Sequence, residues 1–171
     1  MPKTLVAFHS RGGSTRRIAE EIADACGADL EEIVAARPTA GLAALLRDSL
    51  GAISGASPPI EPSRLRPLDY DLLVVASPVW CRRVATPVRT YLRAQAGSLP
   101  AVGFVCTSRW PGTGHALEDM ARLCRAVPRA TLAVSSRDIA WRQYAVRLDA
   151  FLRAMHTASA PEGRLVLEVP A

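Results

Sequence analysis

The feature that most restricts this fold is a short apolar run that breaks into a glycine turn and then into a helical pattern. Thr4-Leu5-Val6-Ala7-Phe8 reads as a buried strand. His9-Ser10-Arg11-Gly12-Gly13-Ser14-Thr15-Arg16-Arg17 follows it, and then Ala19, Ile22, Ala23 and Cys26 recur at helical spacing on one face. Two glycines let the backbone turn tightly and approach a ligand. Ser14 is the expected N-cap of the helix. Ser10, Ser14 and Thr15 supply hydroxyls beside the free N–H groups of the helix start, an arrangement suited to a phosphate. Arg16 and Arg17 stand in the first helical turn, where the helix dipole disfavours cations. A bound anion would relieve that conflict, and extension of both side chains into water would also accommodate it.

The rest of the chain repeats the alternation. Lys3 to Phe8 is strand one, Ser14 to Cys26 helix one, and Asp29 to Val34 strand two. Leu42, Leu45, Leu46 and Leu50 mark a helix from Gly41 to about Ile53, and a Pro-, Ser- and Gly-rich loop follows to Pro67. Leu72-Leu73-Val74-Val75-Ala76 is apolar throughout, as a strand covered on both faces must be. It runs into Ser77-Pro78-Val79-Trp80-Cys81-Arg82-Arg83, read as a loop. Thr86-Pro87 opens a helix with a capping threonine and proline at its first position. Ala101 to Cys106 is strand four, ending in Thr107-Ser108-Arg109-Trp110-Pro111-Gly112-Thr113-Gly114. Leu117, Met120, Ala121 and Cys124 mark the next helix, and Thr131 to Val134 is strand five. Tyr144, Leu148, Phe151, Leu152 and Met155 form a last amphipathic helix, and Leu165 to Val169 is a weak extra edge strand. Five strands alternating with five helices predict one α/β domain over residues 1–171, with an open, doubly wound parallel sheet and helices on both faces. Ligands of such sheets sit beyond the carboxyl ends of the strands. The three unusual loops follow strands one, three and four, and so share one edge.

Composition narrows the function classes. No apolar run approaches the ~20 residues of a membrane span. The first apolar run is too short for a signal peptide, so a cytoplasmic location is expected. The formal charge is +5, from twenty arginines and one lysine. The arginines are scattered rather than clustered, which argues against a nucleic-acid surface. Cys26, Cys81, Cys106 and Cys124 form no metal-ligand pattern with one another or with a histidine, and buried or incidental thiols are expected.

These residues resemble the flavodoxin family over nearly the whole chain. The family's phosphate loop runs Ser/Thr-x-Thr-Gly-x-Thr after strand one; Ser10, Gly13 and Thr15 match, and Gly12 replaces the middle threonine. Ser77-Pro78-Val79-Trp80 resembles the first flavin-flanking loop, where an aromatic residue often stacks on the ring. Cys106-Thr107-Ser108 and the glycine-bearing loop after it resemble the second. Two places depart from the pattern. Arg82 stands where many relatives have glycine, and Arg109-Trp110-Pro111 stands where many have small residues. Residues also separate the chain from other families of similar architecture. A tyrosine phosphatase would need a cysteine where His9 and Ser10 stand, a receiver domain would need aspartate where Ser77 stands, and a P-loop enzyme needs Gly-Lys-Ser/Thr.

The resemblance implies a flavodoxin-like strand order of 2-1-3-4-5 and FMN as cofactor. Ser10, Arg11, Gly12, Gly13, Ser14 and Thr15 would hold the phosphate. Pro78, Val79, Trp80, Cys81 and Arg82 would flank one side of the ring, and Thr107, Ser108, Trp110 and Gly114 the other. The flavin carries the redox chemistry, so no catalytic side chain and no metal is expected. Arg11, Arg82, Arg83 and Arg109 fall in loops without Asp or Glu, a rim that would attract NAD(P)H or an acidic redox protein. The expectation is an FMN-dependent oxidoreductase with a small acceptor such as a quinone. The alternatives are an electron carrier with no substrate of its own and a flavin-free scaffold.

Overall fold

The computed structural model describes residues 2–36, 57–109 and 112–157, and the backbone of 166–167. Strand β1 (Thr4–Phe8) leads into α1 (Ser14–Cys26) and β2 (Asp29–Glu32). A 3-10 turn at Pro67–Asp69 precedes β3 (Leu72–Trp80), β4 (Arg83–Val84) and α2 (Thr86–Ala94). Then come β5 (Ala101–Ser108), α3 (Gly114–Cys124), β6 (Ala130–Ser135), α4 (Ser136–Trp141), α5 (Ala145–His156) and β7 (Val166–Leu167). The helix expected from Gly41 to Ile53 lies outside the described residues, as do Trp110 and Pro111.

The sheet runs β2-β1-β3-β5-β6-β7 with every one of these pairs parallel, and β4 turns back antiparallel on the end of β3. The five expected strands occur in the order expected, with β5 and β6 as the fourth and fifth. The weak edge strand exists as β7, paired beside Thr131 and Leu132. Strand alternation sends side chains to two cores. Leu5, Ala7, Leu73 and Val75 meet Val88, Tyr91 and Leu92 of α2 and Met120 of α3. Val6, Phe8, Val74 and Ala76 meet Ile18 and Ile22 of α1 and Phe151 and Met155 of α5. Ile18 and Ile22 are fully buried, each contributing about 1.5–3 kcal/mol by leaving water. Gly103 lets α5 press onto β5: a Cβ there would overlap Met155 Sδ and meet Phe151 Cζ at 3.0 Å.

Three local expectations change. Gly13, at φ 84°, takes the N-cap position of α1 without a side-chain bond, and Ser14 becomes the first helical residue. Ser10 closes this turn instead, its Oγ accepting the Gly13 N–H at 3.2 Å. Likewise Ala85 caps α2, and Thr86 is helical and buried. Most consequentially, Ser77 to Trp80, read as loop after Ala76, continue the strand, and Arg83 begins another. The alternation of this stretch is broken by Pro78, which hides it from pattern reading, yet Ser77 and Pro78 still pair with Cys106 and Thr107 of β5.

Candidate functional site

The three unusual loops gather at the carboxyl edge of β1, β3 and β5. At the β1 end, Gly12 and Gly13 are exposed, and a Cβ on either would meet nothing within 4 Å. That open space lies beside the first turn of α1, whose leading N–H groups have no acceptor within the helix. Ser10 and Ser14 are half-buried and Arg11 is exposed. Thr15 is buried, and its hydroxyl meets that of Thr107 at 2.8 Å, tying the β1 turn to the end of β5.

The two arginines of the first turn are both engaged by carboxylates. Arg16 reaches Glu32 at 2.5 Å and Arg17 reaches Glu21 at 3.3 Å. The conflict with the helix dipole is therefore relieved within the chain, by carboxylates of β2 and of α1 itself. Glu21 also accepts the Tyr144 hydroxyl, at 2.8 and 2.7 Å, which pins the start of α5 to α1. Burial, and then the Glu21 carboxylate, push the Tyr144 phenol above its ordinary range.

At the β3 end the chain makes a hairpin. Val79 pairs with Val84 and Trp80 with Arg83, leaving Cys81 and Arg82 as a two-residue turn. Both have positive φ, 48° and 62°, as the hairpin-forming type I′ turn requires. Neither is glycine or asparagine, so each residue costs about 1–3 kcal/mol of backbone strain. Ser77 braces the base of the hairpin, its Oγ accepting the Ala85 N–H at 3.2 Å and donating to the Pro78 carbonyl at 2.9 Å. Arg83 braces the tip, with Nη1 at 3.1 and 3.0 Å from the two oxygens of Asp119. Asp119 is buried, and Arg122 of the same helix shares it.

Trp80 brings the first two loops together. Its ring meets His9 edge-on, with centroids 5.6 Å apart, and the Arg11 guanidinium lies over it at 5.8 Å. His9 is in turn fixed by its N–H to the Ala76 carbonyl at 3.1 Å and by Nδ1 at 2.8 Å from the Ile33 carbonyl. At the β5 end, Ser108 is half-buried and its carbonyl accepts from Ser136 at 3.3 Å. Arg109 is exposed and Gly114 opens α3. Cys81 and Arg82 are exposed at the turn, and Pro78 and Val79 are half-buried below it. Trp110 lies outside the described residues.

Sequence reasoning passed over His9 and Asp119. His9 stood in the opening stretch with no role assigned, although a residue directly after β1 must border the loop after β3. Asp119 carries no local signal, because only the tertiary fold brings it to Arg83. Of the four arginines expected at the rim, Arg83 is engaged by Asp119. Cys106 and Cys124 are buried, and burial, then the Asp119 charge, push the Cys106 thiol up to about 12. Among the described residues, no group of three or more His, Cys, Asp or Glu is placed to hold a metal ion, and no helix is long and apolar enough to cross a membrane.

The family model of flavodoxins matches residues 3–133. Among solved structures, the chain is similar to the flavoprotein from Lactobacillus acidophilus NCFM in complex with FMN, at 22% identity and a TM-score of 0.68, over 82% of this chain and 98% of that one. It is similar to a protein from Bacteroides eggerthii DSM 20697 assigned as a flavoprotein, at 21% identity and a TM-score of 0.70, over 88% and 98% of the two chains. It is also similar to an NADH:FMN oxidoreductase (EMOB) in its apo form, at 17% identity and a TM-score of 0.55, over 93% and 92%. At these identities the likeness is one of fold. No curated protein matches the chain.

Proposed function

Because the chain belongs to the flavodoxin family, we propose that it binds FMN across the β1, β3 and β5 loops and works as an FMN-dependent oxidoreductase. The observation that carries this reading is the convergence of an open helix start at Gly12 and Gly13 with an aromatic side chain, Trp80, that touches residues of the same turn. One end offers N–H groups and the Ser10 and Ser14 hydroxyls to a phosphate. The other offers an indole for a flat ring system. The residues present therefore fit the cofactor. When bound, FMN supplies the electron-accepting and electron-donating chemistry.

The chain's own residues do the remaining work. Gly13 turns the backbone so that the first N–H groups of α1 open towards the phosphate. Trp80 covers part of the ring and excludes water from it, and the turn at Cys81 and Arg82 presents backbone groups at the ring edge. Arg11, Arg82 and Arg109 line the approach with positive charge, which favours an anionic donor over the cationic surfaces that suit an acidic carrier. That rim supports NAD(P)H as donor and a small molecule such as a quinone as acceptor. The NADH:FMN oxidoreductase among the similar folds is in keeping with this. Membership of the flavodoxin family favours, as the second reading, an electron carrier without a substrate of its own.

The test is FMN titration of the purified protein, followed by anaerobic addition of NADH and of NADPH. Tight binding with bleaching of the flavin band by either nucleotide is expected. Tight binding without bleaching would favour the carrier, and no binding would leave a flavin-free scaffold.

A further inference from the structure

The turn at the tip of the β3–β4 hairpin is held by contacts its own sequence does not supply. A two-residue loop with both residues at positive φ favours Asn-Gly, Asp-Gly or Gly-Gly, and here it is Cys81-Arg82. The Ser77–Ala85 bond anchors the base, where β4 passes into α2. Arg83 anchors the tip: it is the closing partner of Trp80 and meets both oxygens of a buried carboxylate on another element. A buried carboxylate is strongly committed to its partners, since it cannot be left without them cheaply. Arg122, which sits one turn along the same helix, is largely exposed, at 72% for its side chain, and the buried Arg89 of α2 interacts with the same carboxylate through its charge.

We propose that Asp119 is a positioning residue for the ring-flanking hairpin. Through Arg83 it holds Cys81 and Arg82 in their left-handed backbone, and so sets where Trp80 and the turn's backbone groups meet the flavin. The claim about the hairpin stands on the geometry; its consequence for the cofactor rests on the flavin reading. A strained conformation at a functional loop persists when its surroundings over-determine it. If the strain were relieved in the turn itself, the hold of Asp119 should become dispensable.

Four proteins test this: the natural sequence, Asp119→Asn, the turn variant Cys81→Asn/Arg82→Gly, and the combination of all three substitutions. Backbone amide shifts of residues 79–84 are read without flavin, and FMN affinity is read by titration. In the natural turn, Asp119→Asn should displace the 79–84 amides and weaken FMN binding by at least about threefold. In the Asn-Gly turn the same substitution should move those amides little and change affinity by less than about twofold. The cycle cancels whatever the loss of the Arg82 charge does by itself. Equal effects in both turns, or no effect on the 79–84 amides in the natural turn, would overturn the proposal. Should Asp119→Asn fail to fold, Arg83→Gln breaks the same contact from its exposed side and is carried through the same cycle. If none of the four proteins binds FMN, the flavin reading fails, and the amide shifts decide the positioning role unaided.

Discussion

The hydroxyls of Thr15 and Thr107, 92 residues apart in the chain, meet at 2.8 Å beneath the loops that follow β1 and β5. Both side chains are buried, so neither hydroxyl has an easy substitute partner in water. Removing one should leave the other unsatisfied, whereas removing both leaves two apolar groups in contact. Thr15→Val and Thr107→Val should each lower stability by about 1–3 kcal/mol. The double variant should lose less than the sum of the two, which chemical denaturation of all four proteins would measure. Strict additivity would show that the two hydroxyls do not depend on each other.

Phosphate recognition should reside at the start of α1. Ser14 is half-buried at its first position, and a hydrogen bond to a charged group is worth about 1.5–3 kcal/mol. Ser14→Ala should therefore weaken FMN binding by about tenfold or more. Riboflavin, which lacks the phosphate, should bind weakly to the natural protein and no more weakly to the variant. An equal loss for both ligands would place Ser14 away from the phosphate.

Trp80 should report on the ring. FMN should quench its fluorescence, and Trp80→Ala should abolish most of that quenching while costing about 0.5–1.5 kcal/mol of affinity beyond the area lost. Arg11 lies over the same indole at 5.8 Å, so Arg11→Ala should alter the emission of the flavin-free protein as well. Quenching retained in Trp80→Ala would assign ring contact to another aromatic residue.

The arginine rim should raise the reduction potential of bound flavin. A unit charge about 8 Å away in a water-like medium contributes about 0.5 kcal/mol, or about 10 mV for a two-electron couple. Arg82→Gln and Arg109→Gln together should lower the midpoint potential at low salt, with the difference fading as salt is added. A potential unmoved at low salt would detach these arginines from the redox chemistry. Arg83, already engaged by Asp119, should contribute less.

Much of this was legible in the sequence. The spacing of Ala19, Ile22, Ala23 and Cys26 gave α1 its span, and the apolar blocks at Leu72 and Ala101 gave the two central strands, because burial on both faces leaves a pattern that needs no tertiary knowledge. The hairpin did not show itself. Pro78 removes a donor, and Cys81-Arg82 carries none of the usual turn residues, so local preference points away from what the neighbours impose. Arg16 and Arg17 were visible as misplaced cations, but their partners, Glu32 and Glu21, become neighbours in space only once β2 and α1 are packed. Asp119 lay equally hidden, since a carboxylate next to Met120 on an amphipathic helix reads as surface until Arg83 is brought to it.

The short helix α4 should make part of the stability depend on acid. Ser135 and Asp138 form a reciprocal cap: Ser135 Oγ accepts the Asp138 N–H at 3.1 Å, and Asp138 accepts the Ser135 N–H at 2.8 Å. Burial alone would raise the Asp138 carboxyl, but the Ser135 bonds and Arg147 at 2.9 Å outweigh it and hold it below the ordinary range. A depressed carboxyl stabilises the fold above its unfolded value, near pH 4, and that contribution is lost as pH falls through the folded value. Asp138→Asn should thus be less stable at pH 7 by about 1 kcal/mol and melt earlier. The two proteins should converge as the pH falls through the folded value of Asp138, below the ordinary carboxylate range, as paired thermal melts would show.

The hairpin has one more consequence. Only Cys81 and Arg82 separate two strand ends that are each pinned to the rest of the molecule, Trp80 against His9 and Arg83 against Asp119. Such a tip is an exchangeable cassette: exposed loop tips tolerate insertion, and each doubling of a flexible loop costs only about 0.6 kcal/mol. Descendants of this chain can therefore acquire taller or shallower walls around the same edge by editing two positions, and inherit the parallel sheet unchanged.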